Sequence, residues 1–400
     1  MAERYDVVVV GVGGMGSAAL YHLAARRKRV LGIERFDIPN ELGSSHGLTR
    51  IIRQAYFEHP SYVPLVQRAY ELWRELEAEA GVQLLFITGA VEGGPRIFEG
   101  AVRSSVEHAL PFEELDAAEV TRRFPAFRLP GDLRVVYQRD GGFLLSERCI
   151  VAHVAGARAR GAEVRTGERV LEWRTGENGV RVRTDRREVE AERLVLTAGA
   201  YSQDVARLAP GMVVAQRQVL GWLEPTRPEL FAADRFPVFN LALEEGHVYG
   251  FPIHGVPAAA QRTPLAIFAR SESALADSDL AQRTGFKLGF YDHEGERGDP
   301  NTISREVTHE DEVPLRRFAE RYFPDGAGRT LDLKACLFEL SPDEHFLIDR
   351  HPESELAVLG AGFSGHGFKF CSVVGEILAD LALEGETLHD IGFLRLGRFG

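Results

Sequence analysis

Asp6-Val7-Val8-Val9-Val10-Gly11-Val12-Gly13-Gly14-Met15-Gly16 is a β-branched apolar run that breaks at once into a glycine-rich turn. Four consecutive valines without alternation predict a strand buried on both faces of a parallel sheet. Ala18, Ala19, Leu20, Leu23 and Ala24 predict a helix, and the basic stretch Arg26-Arg27-Lys28-Arg29 suits the negative end of its dipole. A second strand, Val30-Leu31-Gly32-Ile33, then delivers Glu34. Strand, Gly-x-Gly-x-x-Gly, helix, strand and an acid 18 residues beyond Gly16 make a complete βαβ dinucleotide-binding unit. In such a unit Gly11 makes the tight turn, Gly13 lets backbone approach a pyrophosphate, Gly16 lets helix pack on strand, and Glu34 binds a ribose. An ordinary glycine turn is the plain alternative, and the coincidence of all the parts argues against it. The motif does not by itself separate FAD from NAD.

The rest of the chain sets bounds on what this unit serves. With 400 residues, and about 150 per domain, two or three domains are expected. Composition is that of a globular protein, 44% hydrophobic and 26% charged, and no apolar run approaches the ~18 residues of a bilayer span. The net charge of −12 disfavours nucleic acid and anionic lipid, so an anionic ligand requires a local basic pocket. Cys149, Cys336 and Cys371 fit neither a disulfide framework nor a zinc spacing, so no metal site is expected. A reducing compartment, an N-terminus without a basic n-region or cleavage site, and hence a cytoplasmic location follow as expectations.

Past Glu34 and Arg35 the chain enters the polar loop Gly43-Ser44-Ser45-His46-Gly47-Leu48-Thr49-Arg50-Ile51-Ile52-Arg53. Arg50 and Arg53 are three residues apart, so a helical turn would place both guanidinium forks on one face, ready for anionic groups. Surface ion pairs are the plain alternative.

This loop resembles the flavin-site segment of the family of monomeric sarcosine oxidase and N-methyltryptophan oxidase. Three further segments are similar to that family: Ala335-Cys336-Leu337-Phe338 with Ser341-Pro342-Asp343-Glu344-His345-Phe346, the loop Gly362-Phe363-Ser364-Gly365-His366-Gly367-Phe368-Lys369, and the terminal Leu394-Arg395-Leu396-Gly397-Arg398-Phe399. The resemblance implies an α/β protein with a Rossmann-like FAD-binding domain and a second, mainly antiparallel β-sheet substrate domain. The FAD domain is expected to be discontinuous, at 1–81, 144–214 and 326–400, with the substrate domain at 82–143 and 215–325. It further implies FAD linked covalently through Cys336, a thiol that the residues alone do not distinguish from Cys149 and Cys371. Cofactor contacts are expected from Gly11, Gly13, Gly16, Glu34, Arg35, Ser44, Thr49, Val170, Gly199, Gly362, Gly365, His366, Gly367 and Lys369. A helix beginning after this last loop would aim N–H groups at the flavin edge that carries charge on reduction.

For the substrate, the resemblance assigns its carboxylate to Arg53 and Lys369, with Tyr249, Tyr291 and Phe338 lining the pocket. His46 and Arg50 are placed near the flavin ring and Lys287 at the site of oxygen reduction, where a fixed cation stabilises developing charge. Three features depart from the family: Phe338 where tyrosine is usual, Tyr291 where histidine is usual, and an added stretch at about 257–284. The implied activity is oxidation of the N-methyl group of sarcosine or a related N-methyl amino acid by O2, giving the amino acid, formaldehyde and H2O2. Larger, cyclic or glycated secondary amino acids, another electron acceptor, and a flavin-binding sensor without turnover remain alternatives at this level. A monomer is expected, acting on a small amino acid and O2.

Overall fold

The computed structural model describes residues 3–176, 179–254, 285–293 and 295–400. The added stretch at about 257–284 lies outside the described residues. The opening βαβ unit forms as read: strand Glu3–Val10, helix Gly14–Ala25 and strand Val30–Ile33. Val7, Val8 and Val9 are fully buried, because the sheet is covered on both faces.

Glu3–Val10 pairs in parallel with Val30–Ile33 on one edge and with Glu188–Leu196 on the other. The far edge of Glu188–Leu196 changes partner along its length. Its first half pairs antiparallel with Gly179–Thr184, and Leu194–Leu196 pairs in parallel with Ser354–Ala361. Among the described residues eight strands form this sheet. The helix Cys371–Leu383 lies against the first helix at close range, since a Cβ on Gly375 would stand 2.5 Å from Ala18.

A second sheet contains nine of the described strands. Its pairing is antiparallel except where Val238–Leu243 runs parallel to Ala90–Gly93. Side chains alternate between the faces of a strand, and directly paired residues share a face. Register puts Glu92, Asn240, Tyr249 and Gly289 in one row. The same alternation puts His247, Lys287, Cys336 and Phe338 on that face. The opposite face carries Val91, Phe239, Leu241, Val248, Phe286, Leu288 and Phe290, buried with Leu315, Phe318 and Tyr322 of the helix His309–Tyr322. One face therefore holds core and the other holds chemistry. A third sheet joins Thr49–Ile52, Gly142–Leu145 and Leu85–Ile87.

The architecture is the expected one, a dinucleotide-binding sheet with a parallel centre and a mainly antiparallel second sheet, and local readings differ from it in three places. Thr49–Ile52 is a strand, so Arg50 and Arg53 do not share a helical face; the β-branched Thr49, Ile51 and Ile52 favour extended backbone. Helices Pro95–Glu107, Ala117–Arg123 and His309–Tyr322 interrupt stretches read as β-rich. The strand Thr330–Leu340 pairs along its length with Val214–Leu223, so it lies in the nine-stranded sheet although it follows the expected boundary at 326.

Candidate active site

A cleft of about 680 Å³ runs from the glycine turn to the loop 362–367. Gly11, Gly13, Glu34, Arg35, Ser44, Arg50, Val170, Gly199, Phe338, Gly365 and Gly367 all line it. The three motif glycines carry different burdens. Gly11 has φ +87°, and a Cβ there would meet Thr197 O at 2.4 Å. A Cβ on Gly16 would stand 1.8 Å from Gly11 O, while one on Gly13 would meet nothing within 4 Å. Turn, packing and open approach are thus divided as the motif requires.

Glu34 is buried at the mouth of its strand, and its Oε2 accepts from Val12 N at 2.8 Å and Oε1 from Phe36 N at 3.0 Å. Burial pushes its carboxyl up against these N–H groups, and it keeps further lone pairs for a ligand. Arg35 donates to Asn301 Oδ1 at 2.8 Å and lies 4.9 Å over the Tyr201 ring. Among the described residues Ser44 Oγ, which lines the cleft, has no hydrogen-bond partner, and a bound molecule would satisfy it; both ring nitrogens of His46, buried behind the lining, also have none there. Burial, helped by Arg50, brings His46 down to about 3, so it is neutral. A backbone cradle, a ribose acid and orphaned polar atoms along a long cleft fit FAD.

Arg50 spans the middle of the site. It donates to Thr49 O and Ser44 O at 2.9 Å each, and its Nη2 lies 3.9 Å from Cys336 Sγ. Cys336 is 1% exposed; burial raises its thiol, and Arg50, Arg305 and Lys287 pull the other way. Cys149 and Cys371 are held well above the ordinary thiol range by burial. Lys287 is buried and donates to Gly47 O at 2.6 Å, Thr49 O at 2.8 Å and Thr49 Oγ1 at 3.1 Å. Its ammonium sits 4.4 Å over the Phe251 ring. Gly16 and Gly362 lie behind the cleft wall; Gly362 has φ +62° and packs on Ser341 and Leu347.

Arg53 and Lys369 come together on one ring. The guanidinium lies 4.5 Å and the ammonium 5.1 Å from the centre of Tyr56. Lys369 Nζ donates to His366 O at 2.6 Å, and the Tyr56 hydroxyl meets His366 Nδ1 at 2.5 Å. Burial, with Arg53 nearby, pushes Lys369 down to about 7. Burial also lowers His366, to about 4.

Arg53 is not the open fork that the sequence suggests. Its Nη2 donates to both oxygens of Glu58 at 2.9 Å, and its Nε stands 2.7 Å from Glu92 Oε1. Burial would raise Glu58, but Arg53, with His366 and Lys369 beyond it, holds it at about 2. Burial pushes Glu92 up to about 7 despite Arg53. Around them Tyr291 donates to Ser364 O and stacks on His247, and Phe338 lies against Gly365. Tyr249 stands in the same row as Asn240.

Tyr56, Glu58, Glu92, Asn240 and His247 were not legible as site residues. Glu92 alone left a signal, an acid inside the short apolar run Ala90-Val91-Glu92-Gly93, where a carboxylate is rarely buried without a partner. Asn240 and His247 acquire meaning only from strand register, and Tyr56 and Glu58 only from the path of the segment between Ile52 and Tyr62.

The fold and cleft define a dinucleotide-dependent oxidoreductase. Residues 6–381 match the FAD dependent oxidoreductase family, and the chain belongs to it. It is 38% identical over 398 residues to monomeric sarcosine oxidase of Streptomyces avermitilis, spanning 98% of this chain and 97% of that protein. To N-methyl-L-tryptophan oxidase of Yersinia pestis it is 32% identical over 399 residues, spanning 99% of each. In structure it is similar to the open form of NikD, an unusual amino acid oxidase essential for nikkomycin biosynthesis, with TM-score 0.81, 26% identity, and 98% and 97% of the two chains covered. Among the described residues no helix is long and apolar enough to cross a membrane, and no cluster of three metal-ligating side chains occurs.

Proposed function

We propose that this enzyme oxidises the N-methyl group of a small secondary amino acid, sarcosine foremost, with O2 and water giving glycine, formaldehyde and H2O2. The observation that carries this reading is the pair of buried cations, Arg53 and Lys369, both drawn to the ring of Tyr56. Together they grip one carboxylate and fix the amine end of a small zwitterion. For Arg53 to accept it, one acid partner has to yield. Glu58 lies outside regular structure with its side chain 11% exposed, whereas Glu92 is on a strand at 1%, so Glu58 is the partner that exchanges.

When bound, FAD supplies the two-electron acceptor. The N–H groups of the glycine turn hold its pyrophosphate, Glu34 its ribose, and Cys336 ties it covalently beside Arg50. Lys287, pinned on three oxygens, presents a fixed positive charge where oxygen takes up electrons. The enzyme acts as a monomer in the cytoplasm.

The test is anaerobic mixing of the yellow holoprotein with sarcosine, then with N-methyltryptophan and pipecolate. Sarcosine should bleach the flavin band fastest, and air should restore it with release of peroxide. Absence of bleaching by every secondary amine refutes the reading. Acid precipitation should leave yellow protein from the native chain and colourless protein from Cys336→Ser; native protein that turns colourless refutes the tether.

A further inference from the structure

Among the described residues Glu92 is the one buried acid on the chemical face of the sheet whose charge the reaction does not use. Its strand, Ala90–Gly93, is buried at every position and paired on both edges, with Arg134–Gln138 and Val238–Leu243. A carboxylate so placed cannot swing to solvent. It faces Arg53, Glu58, Lys369, Asn240 and His247; burial lowers His247 to about 4, so that ring is neutral. The guanidinium already meets three neighbours: Nη1 donates to Ala55 O at 3.0 Å, Nη2 donates to Glu58, and Nε stands 2.7 Å from Glu92 Oε1 in an ion pair that, among the described residues, leaves both Glu92 oxygens without a hydrogen bond. When Glu58 gives way, Nη2 is freed and the Glu92 charge still stands beside Nε.

We propose that Glu92 is a specificity-determining residue, a fixed counter-anion on Arg53 that turns the site away from bare carboxylates and toward zwitterions. The inference rests on Arg53 receiving the substrate carboxylate. A ligand carboxylate on Nη2 then stands across the same guanidinium from the Glu92 carboxylate, and like charges at that range in a partly polar interior oppose one another. A ligand that brings its own ammonium offsets the second anion, whereas a simple anion does not.

Calorimetric titration of the FAD-loaded protein with acetate and with glycine, at a pH near 8 where Glu92 is charged, tests this without turnover. Glu92→Gln keeps the shape and removes the charge. Acetate should then bind about tenfold more tightly, on the scale of one like-charge contact, and glycine no more than about threefold. A variant merely damaged in structure would bind both more weakly. Unchanged or weaker acetate binding overturns the proposal, as does equal tightening for both ligands or no acetate binding by either protein. If Glu92→Gln fails to fold, Lys369→Met serves instead: with that ammonium gone, acetate binding should still weaken as pH rises through about 7, and a flat profile overturns the proposal. Failure of sarcosine to bleach the native flavin would refute amine oxidation separately, leaving the acetate and glycine comparison readable.

Discussion

Between Val10 and Glu34 the glycine turn lines the cleft with backbone, whereas the chemical face of the nine-stranded sheet is built from side chains drawn from separate strands. The first region recognises by what is missing. Two glycines make room for neighbouring backbone and a third for the ligand, and one acid closes the arrangement. The second recognises by what is added: Glu92, Asn240, His247, Tyr249 and Lys287 reach one face through alternation alone. Where the contiguous turn closes on its own backbone, at Gly11 and Gly16, one added atom breaks fold and binding together. A region assembled from distant strands loses one function at a time.

The largest effect is therefore expected at Gly16. A methyl group there lies 1.8 Å from Gly11 O, which no rotamer relieves because both atoms are fixed by backbone. Gly16→Ala should yield protein without flavin absorbance and with a clearly lowered Tm, read by spectrum and thermal melt. A yellow, stable Gly16→Ala would erase the distinction between the two regions. At the other end, Lys287→Met should slow reoxidation of reduced flavin by roughly 10²–10³-fold, the scale of removing one preorganised charge, with much less change in flavin reduction. Stopped-flow measurement of the two half-reactions separates them, and equal slowing of both would refute the role.

This contrast also explains what the sequence disclosed. The βαβ unit was readable because strand, turn, helix and Glu34 lie within 29 residues, from Asp6 to Glu34, where periodicity and glycine spacing act locally. The partners of Arg53 were not. Glu92 and Asn240 are adjacent only because Val238–Leu243 pairs in parallel with Ala90–Gly93, a register that no local pattern announces. Arg53 consequently looked like a free fork, while in the fold its charge is already met twice.

A moderate effect should appear in pH dependence. Lys369, pushed down to about 7 by burial, is charged below that pH and neutral above it; Glu92, pushed up to about 7, is neutral below and charged above. Both changes disfavour a bound carboxylate as pH rises. The Kd for acetate should increase by about tenfold or more between pH 6 and pH 8, with proton uptake on binding. A Kd that falls over this range would mean that neither group faces the ligand.

The smallest effect on the fold belongs to Gly13, and it tests most finely what the glycine end is for. Its φ of −76° is open to any L-residue, and a Cβ there would meet nothing within 4 Å. Gly13→Ala should therefore leave the Tm of the apoprotein within about 2 °C of the native value, since no packing or backbone conformation changes. The added methyl points instead into the cleft that Gly13 lines, where close approach of backbone to a pyrophosphate needs the space. FAD binding should weaken while folding does not, a separation that Gly16→Ala cannot show because there both fail together. Equal losses of Tm in the two variants would mean that the open wall at Gly13 is structural after all.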